Sequence, residues 1–136
     1  MAYRGERLMS CGAVPFDWHQ AHVVVVSGTG PNLCGHAMVN AGRFYFHVDG
    51  LNDYPWFMNA QGYKRYLHEN GKREIYRRWV QIPDPDAAQA KLEEYSIRRW
   101  RWLVLPNNCA SFVEEVFKAG GSDVGSWTNC PRARWA

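Results

Sequence analysis

The chain has 136 residues, 46% of them hydrophobic and 15% aromatic, with a formal net charge of +3. That is enough for one packed core, and it predicts a single domain over residues 1–136. No stretch approaches about 18 consecutive apolar residues, which excludes a membrane-spanning helix, and so small a positive excess argues against a protein that grips a nucleic-acid backbone.

Residues 1–20 read as an irregular lead-in. No apolar run stands behind Met1-Ala2-Tyr3-Arg4-Gly5-Glu6-Arg7, so no secretory signal peptide is expected. The localisation stays open, and delivery outside the cytoplasm would need a specialised secretion system. Residues 21–27, with Val23-Val24-Val25-Val26, predict a short buried strand ending at the turn formers Gly28, Gly30, Pro31 and Asn32. Gly28-Thr29-Gly30 lacks the Gly-Lys-Ser/Thr ending of a phosphate loop, and no periodic helix follows it. His19 and His22 read as surface or strand-edge residues.

Residues 35–40 and 43–48 alternate in character around Ala41-Gly42, which predicts a hairpin. A two-residue loop at that point makes residues whose numbers sum to 83 face each other, setting His36 directly opposite His47 with Cβ atoms roughly 4.5–5.5 Å apart. Met38, Asn40, Arg43 and Tyr45 share the histidine face, expected to be polar and exposed. Ala37, Val39, Phe44, Phe46 and Val48 form the expected buried side.

Residues 51–70 are aromatic and turn-rich, and most of their rings are expected to roof the core. Residues 73–82 predict another strand. Asp84-Pro85-Asp86 predicts a helix start, with Asp84 as N-cap and Pro85 in the first position, running to about Trp100. Two basic clusters, Arg77-Arg78-Trp79 and Arg98-Arg99-Trp100-Arg101-Trp102, are read as a solvated helix face with its tryptophans buried, not as a nucleic-acid platform.

In the last segment Cys109, Phe112, Val113, Val116 and Phe117 fall on one helical stripe that stops at Gly120-Gly121. Asn108 is a favoured N-cap residue, and the helix N-terminus favours a thiolate at Cys109. The other cysteines, Cys11, Cys34 and Cys130, show no paired metal spacing, and Cys34-x-His36 alone does not make a zinc site. Neither a metal nor a cofactor is called for. Cys34 is a rival nucleophile on the histidine face, but it lacks the helix N-terminus that activates Cys109.

A thiol at a helix start with two cross-strand histidines supplies a nucleophile, a base and a group to orient the base. Gly35-His36-Ala37-Met38-Val39-Asn40-Ala41-Gly42-Arg43-Phe44-Tyr45-Phe46-His47-Val48, followed by Asn108-Cys109-x-x-Phe112-Val113, resembles the circularly permuted papain-like group over residues 20–121. That group includes permuted relatives of NlpC-type cell-wall peptidases and lecithin:retinol acyltransferase-like enzymes. The resemblance implies an α+β fold with an antiparallel sheet (residues 21–27, 35–41, 43–48 and 73–82) and packed helices. It further implies Cys109 as nucleophile, His36 as base and His47 as its orienter, the thiol meeting His36 on the sheet. Tyr45 and Asn40 are the expected substrate-binding residues.

The expected activity is thioester chemistry on peptidoglycan peptides by a thiol amidase or endopeptidase. An antibacterial toxin or effector countered by an inhibitor (immunity) protein fits that expectation. Two alternatives stand beside it: a lipid acyl hydrolase or acyltransferase on the same residues, and a non-enzymatic binding module. Ala110-Ser111 stands where the acyltransferase-like branch has Glu-His, which weighs against lipid.

Overall fold

The computed structural model describes residues 2–8, 15–27, 35–48, 54–97 and 108–122, with side chains in the last segment from Phe112 onward. Six strands, β1 (Glu6–Arg7), β2 (Ala21–Val26), β3 (His36–Ala41), β4 (Phe44–His47), β5 (Trp56–Met58) and β6 (Glu74–Trp79), form one sheet in the order β1-β5-β4-β3-β2-β6. Every pairing is antiparallel. Three helices, α1 (Ala60–Glu69), α2 (Pro85–Ser96) and α3 (Asn108–Ala119), complete an α+β architecture. Among the described residues no helix is long and apolar enough to cross a membrane.

The sheet is covered on both sides because β2 and β3 carry apolar residues on both faces. On one face Val23, Val25, Ala37, Val39, Phe46 and Val48 pack against Leu92 and Tyr95 of α2 and Phe112, Val113, Val116 and Phe117 of α3. On the other, Val24, Val26, Met38, Tyr45 and Met58 pack against Tyr63 and Tyr66 of α1. The expectation of an exposed histidine face is therefore corrected: all of β3 is buried, His36 is 7% exposed and His47 is 0% exposed. The cover is α1, which falls in the segment expected to be turn-rich. Asn59 caps it, accepting from the Gly62 N–H at 2.7 Å, and Tyr63, Tyr66 and Leu67 make its apolar stripe at i, i+3 and i+4.

The hairpin register also departs from expectation. Val39 faces Phe46, Asn40 faces Tyr45 and Ala41 faces Phe44, numbers that sum to 85, so the loop is Gly42-Arg43. Ala41 cannot serve as a loop residue because it pairs with Ala21 on its other side and is fully buried. Gly42 takes the first loop position at φ 62°, where a residue with a side chain is disfavoured. Asn40 locks the turn, its Nδ2 donating to the Gly42 carbonyl at 3.1 Å and the Phe44 carbonyl at 3.0 Å.

α2 begins as its sequence predicts, with the Asp84 carboxylate accepting from the Ala87 N–H at 3.1 Å and Pro85 in the first turn. It ends at Ser96, short of Trp100, where the Ser96 hydroxyl donates to the Glu93 carbonyl at 2.6 Å. α3 stops in a Schellman turn, Ser122 N–H to the Phe117 carbonyl and Gly121 N–H to the Lys118 carbonyl. The basic cluster Arg77-Arg78-Trp79 lies on the outer strand β6 and not on a helix; Trp79 is 55% exposed, its indole N–H donating to the His19 carbonyl. The cluster at residues 98–102 lies outside the described residues.

Candidate active site

His36 opens β3 and His47 closes β4, so both lie at the same end of the sheet. With the register at 85 they are diagonal neighbours, and they keep a common face because a shift of two preserves the alternation of side chains. The rings meet edge to face at 5.0 Å between centroids, and His36 Nε2 lies 2.8 Å from His47 Nδ1. The other nitrogen of His47, Nε2, lies 2.8 Å from the Arg4 carbonyl oxygen.

These two contacts fix the protons. A carbonyl only accepts, so His47 carries a proton on Nε2, and as a neutral imidazole it presents a lone pair at Nδ1. His36 must then donate from Nε2, which leaves its own Nδ1 as an acceptor. The relay runs from His36 through His47 to the Arg4 backbone. Burial holds the His36 pKa well below its ordinary value, with the neighbouring His47 and then Lys72 adding to the effect. His36 is a neutral imidazole at pH 7. Tyr66 walls the pair, its ring 5.3 Å from that of His47 and 6.5 Å from that of His36.

The helix that carries Cys109 is oriented by its far end. Asp84 N–H donates to the Gly120 carbonyl, and Val80 N–H to the Ala21 carbonyl, so α3 finishes at the end of the sheet where β2 starts. α2 runs antiparallel beside α3: Tyr95 donates to Glu115 at 2.8 Å and its ring lies 6.3 Å from Phe112. Leu92 and Ser96 of α2 share a pocket with Leu8, which follows β1 at the histidine end. α3 therefore starts toward the end of the sheet where His36 and His47 stand. Its apolar stripe nonetheless packs on the face opposite the two rings. The expected meeting of thiol and imidazole involves the Cys109 side chain, which lies outside the described residues.

The other candidates divide. Asn40 is 1% exposed and committed to the turn, and its Oδ1 accepts from His22 Nδ1 at 2.9 Å. Tyr45 is 6% exposed, stacked on Tyr63 at 4.1 Å, and its hydroxyl accepts from Arg77 at 2.7 Å. The contacts of both hold the fold together. His22 is half-buried within the sheet, not on its edge. Cys11, Cys34 and Cys130 lie outside the described residues. The contribution that residue types could not reveal is the Arg4 carbonyl, since any residue supplies one. Among the described residues no group of three or more His, Cys, Asp or Glu side chains could hold a metal.

No family model, curated protein or solved structure matches the chain.

Proposed function

We propose that the chain is a cysteine hydrolase of permuted papain-like type, an amidase or endopeptidase acting on peptidoglycan peptides. The observation that carries the reading is the His36–His47–Arg4 relay, which leaves a buried neutral imidazole with its Nδ1 lone pair at the sheet end toward which α3 starts. In this reading the thiol reaches His36 around the start of β3. Cys109 Sγ attacks the amide carbonyl while its proton passes to His36 Nδ1. The amine leaves with that proton, and water, deprotonated by His36, hydrolyses the thioester to release the acid. His47 holds the tautomer and orientation of His36 throughout. Its delivery as a toxin or effector, with an immunity protein as partner, belongs to the same proposal.

Mass spectrometry of sacculus digests tests this reading, with soluble muropeptides expected from the wild type and none from Cys109→Ala. His36→Ala is expected to abolish turnover, and His47→Asn to retain a detectable fraction. Iodoacetamide at about pH 7 is expected to label Cys109 ahead of Cys11, Cys34 and Cys130, as a thiolate at a helix start reacts faster.

One observation favours a second reading, a non-enzymatic binding module. Phe112, Val113, Val116 and Phe117 of α3 pack opposite the histidines, and a cysteine that continues their spacing at the helix start suits a small core residue. A Cys109 that stays unlabelled in the folded protein, together with intact sacculi, would decide for that reading.

A further inference from the structure

A two-ring relay has two equivalent settings. His36 can donate to His47, or His47 can donate to His36, and the 2.8 Å bond between Nε2 of one and Nδ1 of the other is satisfied equally by either. The settings differ in what they leave outside the pair. In the first, His36 Nδ1 is an acceptor; in the second, that nitrogen carries a proton and cannot take one. Only a group beyond the pair can break the tie, and at His47 Nε2 that group is the Arg4 carbonyl, which accepts and never donates.

The strap that brings this carbonyl in is built for the purpose. Gly5, immediately after it, has φ +121°, a conformation that side-chain-bearing residues rarely adopt, and a Cβ there would meet the Phe57 carbonyl oxygen at 2.6 Å and Met58 Cγ at 2.9 Å. Upstream, Tyr3 N–H donates to Glu69 at 2.9 Å, and Asn70 Nδ2 donates to the Tyr3 carbonyl at 2.8 Å. Downstream, Arg7 lies 3.8 Å over the Trp56 ring, and Leu8 N–H donates to the Pro55 carbonyl at 3.0 Å. The strap is fastened on both sides of the peptide whose oxygen lies 2.8 Å from His47 Nε2.

We infer that the N-terminal strap, through the Arg4 carbonyl aimed by Gly5, is the positioning element that sets the tautomers of His47 and His36. The tautomer assignment rests on the geometry of the pair, and its catalytic meaning, keeping His36 Nδ1 free to take a proton, rests on the hydrolase reading.

The test weakens that one acceptor. A synthetic segment of residues 1–10, ligated at Cys11 to the remaining chain labelled with 15N-histidine, allows glycolic acid to replace Gly5, which turns the Arg4 carbonyl into an ester carbonyl, a poorer acceptor. Nitrogen–proton correlation spectra then report which ring nitrogens carry protons. The all-amide chain is expected to show His47 and His36 both protonated at Nε2. The ester chain is expected to move the ratio of the two relay settings by about tenfold, the weight of one buried hydrogen bond, with Nδ1–H signals rising on both rings together. An ester one link later, after Gly5, should leave the ratio unchanged.

Gly5→Ala, whose Cβ must displace the strap, is expected to act in the same direction, and the ester decides if that variant fails to fold. A folded ester chain with both rings still protonated only at Nε2 would overturn the inference. The readout needs neither thiol nor substrate. Intact sacculi would therefore sink the hydrolase reading without touching this result, and an unmoved tautomer would sink this inference without touching the hydrolase reading.

Discussion

On one face of the sheet Val23, Val25, Ala37, Val39 and Phe46 meet the apolar stripes of α2 and α3; on the other, His36, Asn40, Tyr45 and His47 are interleaved with methionine and valine under two tyrosines of α1. The first face is held by area, in proportion to the apolar surface removed from water. The second also buries polar atoms, each of which costs stability unless it finds a partner. Its groups are accordingly bonded: Asn40 to the turn and His22, the histidines to each other and the Arg4 carbonyl, and Tyr63 to Glu74 at 2.7 Å with Arg77 bridging Glu74 and Tyr45. The face that specifies geometry tolerates little rearrangement, whereas the other can be repacked.

The contrast can be broken from either side. The largest effect is expected from Phe117→Ala on the apolar face, which loses about 3–5 kcal/mol through lost burial and the cavity left behind, read as the urea midpoint. Phe117→Leu should restore most of that loss. His47→Leu keeps volume on the polar face but takes a partner from His36 and from the Arg4 carbonyl, with an expected loss of about 1–3 kcal/mol by the same measurement. If it cost nothing, the difference between the faces would be one of composition only.

Tyr63→Phe is a finer cut. It removes one donor from Glu74, which keeps Arg77 at 2.9 Å, and about 0.5–1.5 kcal/mol is expected. The polar face should also show a pH dependence. His36 is held below its ordinary value in the fold, whereas the unfolded chain titrates near about 6.5. Below that pH the unfolded chain binds more protons than the folded one. The His36 contribution to stability is therefore fully present above about pH 6.5 and is lost as pH falls toward the depressed folded value. Urea midpoints across that window should fall with acidity, and His36→Gln should flatten the fall.

Much of the polar face was legible in the sequence, for a reason that also explains what was not. Side-chain alternation has period two, so placing the loop at Ala41-Gly42 instead of Gly42-Arg43 shifts the register by two and leaves His36 and His47 on one face. The loop position itself depends on Ala41 being claimed by β2, a contact with a distant segment that a local pattern does not contain. Helix α1 carried readable signals in Asn59, the spacing of Tyr63, Tyr66 and Leu67, and Gly71 after its end, but Gly62 and the density of aromatics masked them. The helical spacing of Phe112, Val113, Val116 and Phe117 told that α3 packs, not which face of the sheet it would take, because β2 and β3 are apolar on both.

β6 has a further consequence for the life of the chain before it is fully folded. Val23 to Val26 are paired on one side by β3 and on the other by β6, and β6 is the outermost strand. Four successive valines with an open edge would be a template for intermolecular cross-β stacking. β6 shields them with a segment whose own outward side chains include Glu74, Arg77 and Arg78, charges that discourage another strand from adding to it. A chain in which β6 docks late exposes its most aggregation-prone stretch during that interval, so substitutions that loosen β6 should lower soluble yield more than they lower the stability of the folded protein.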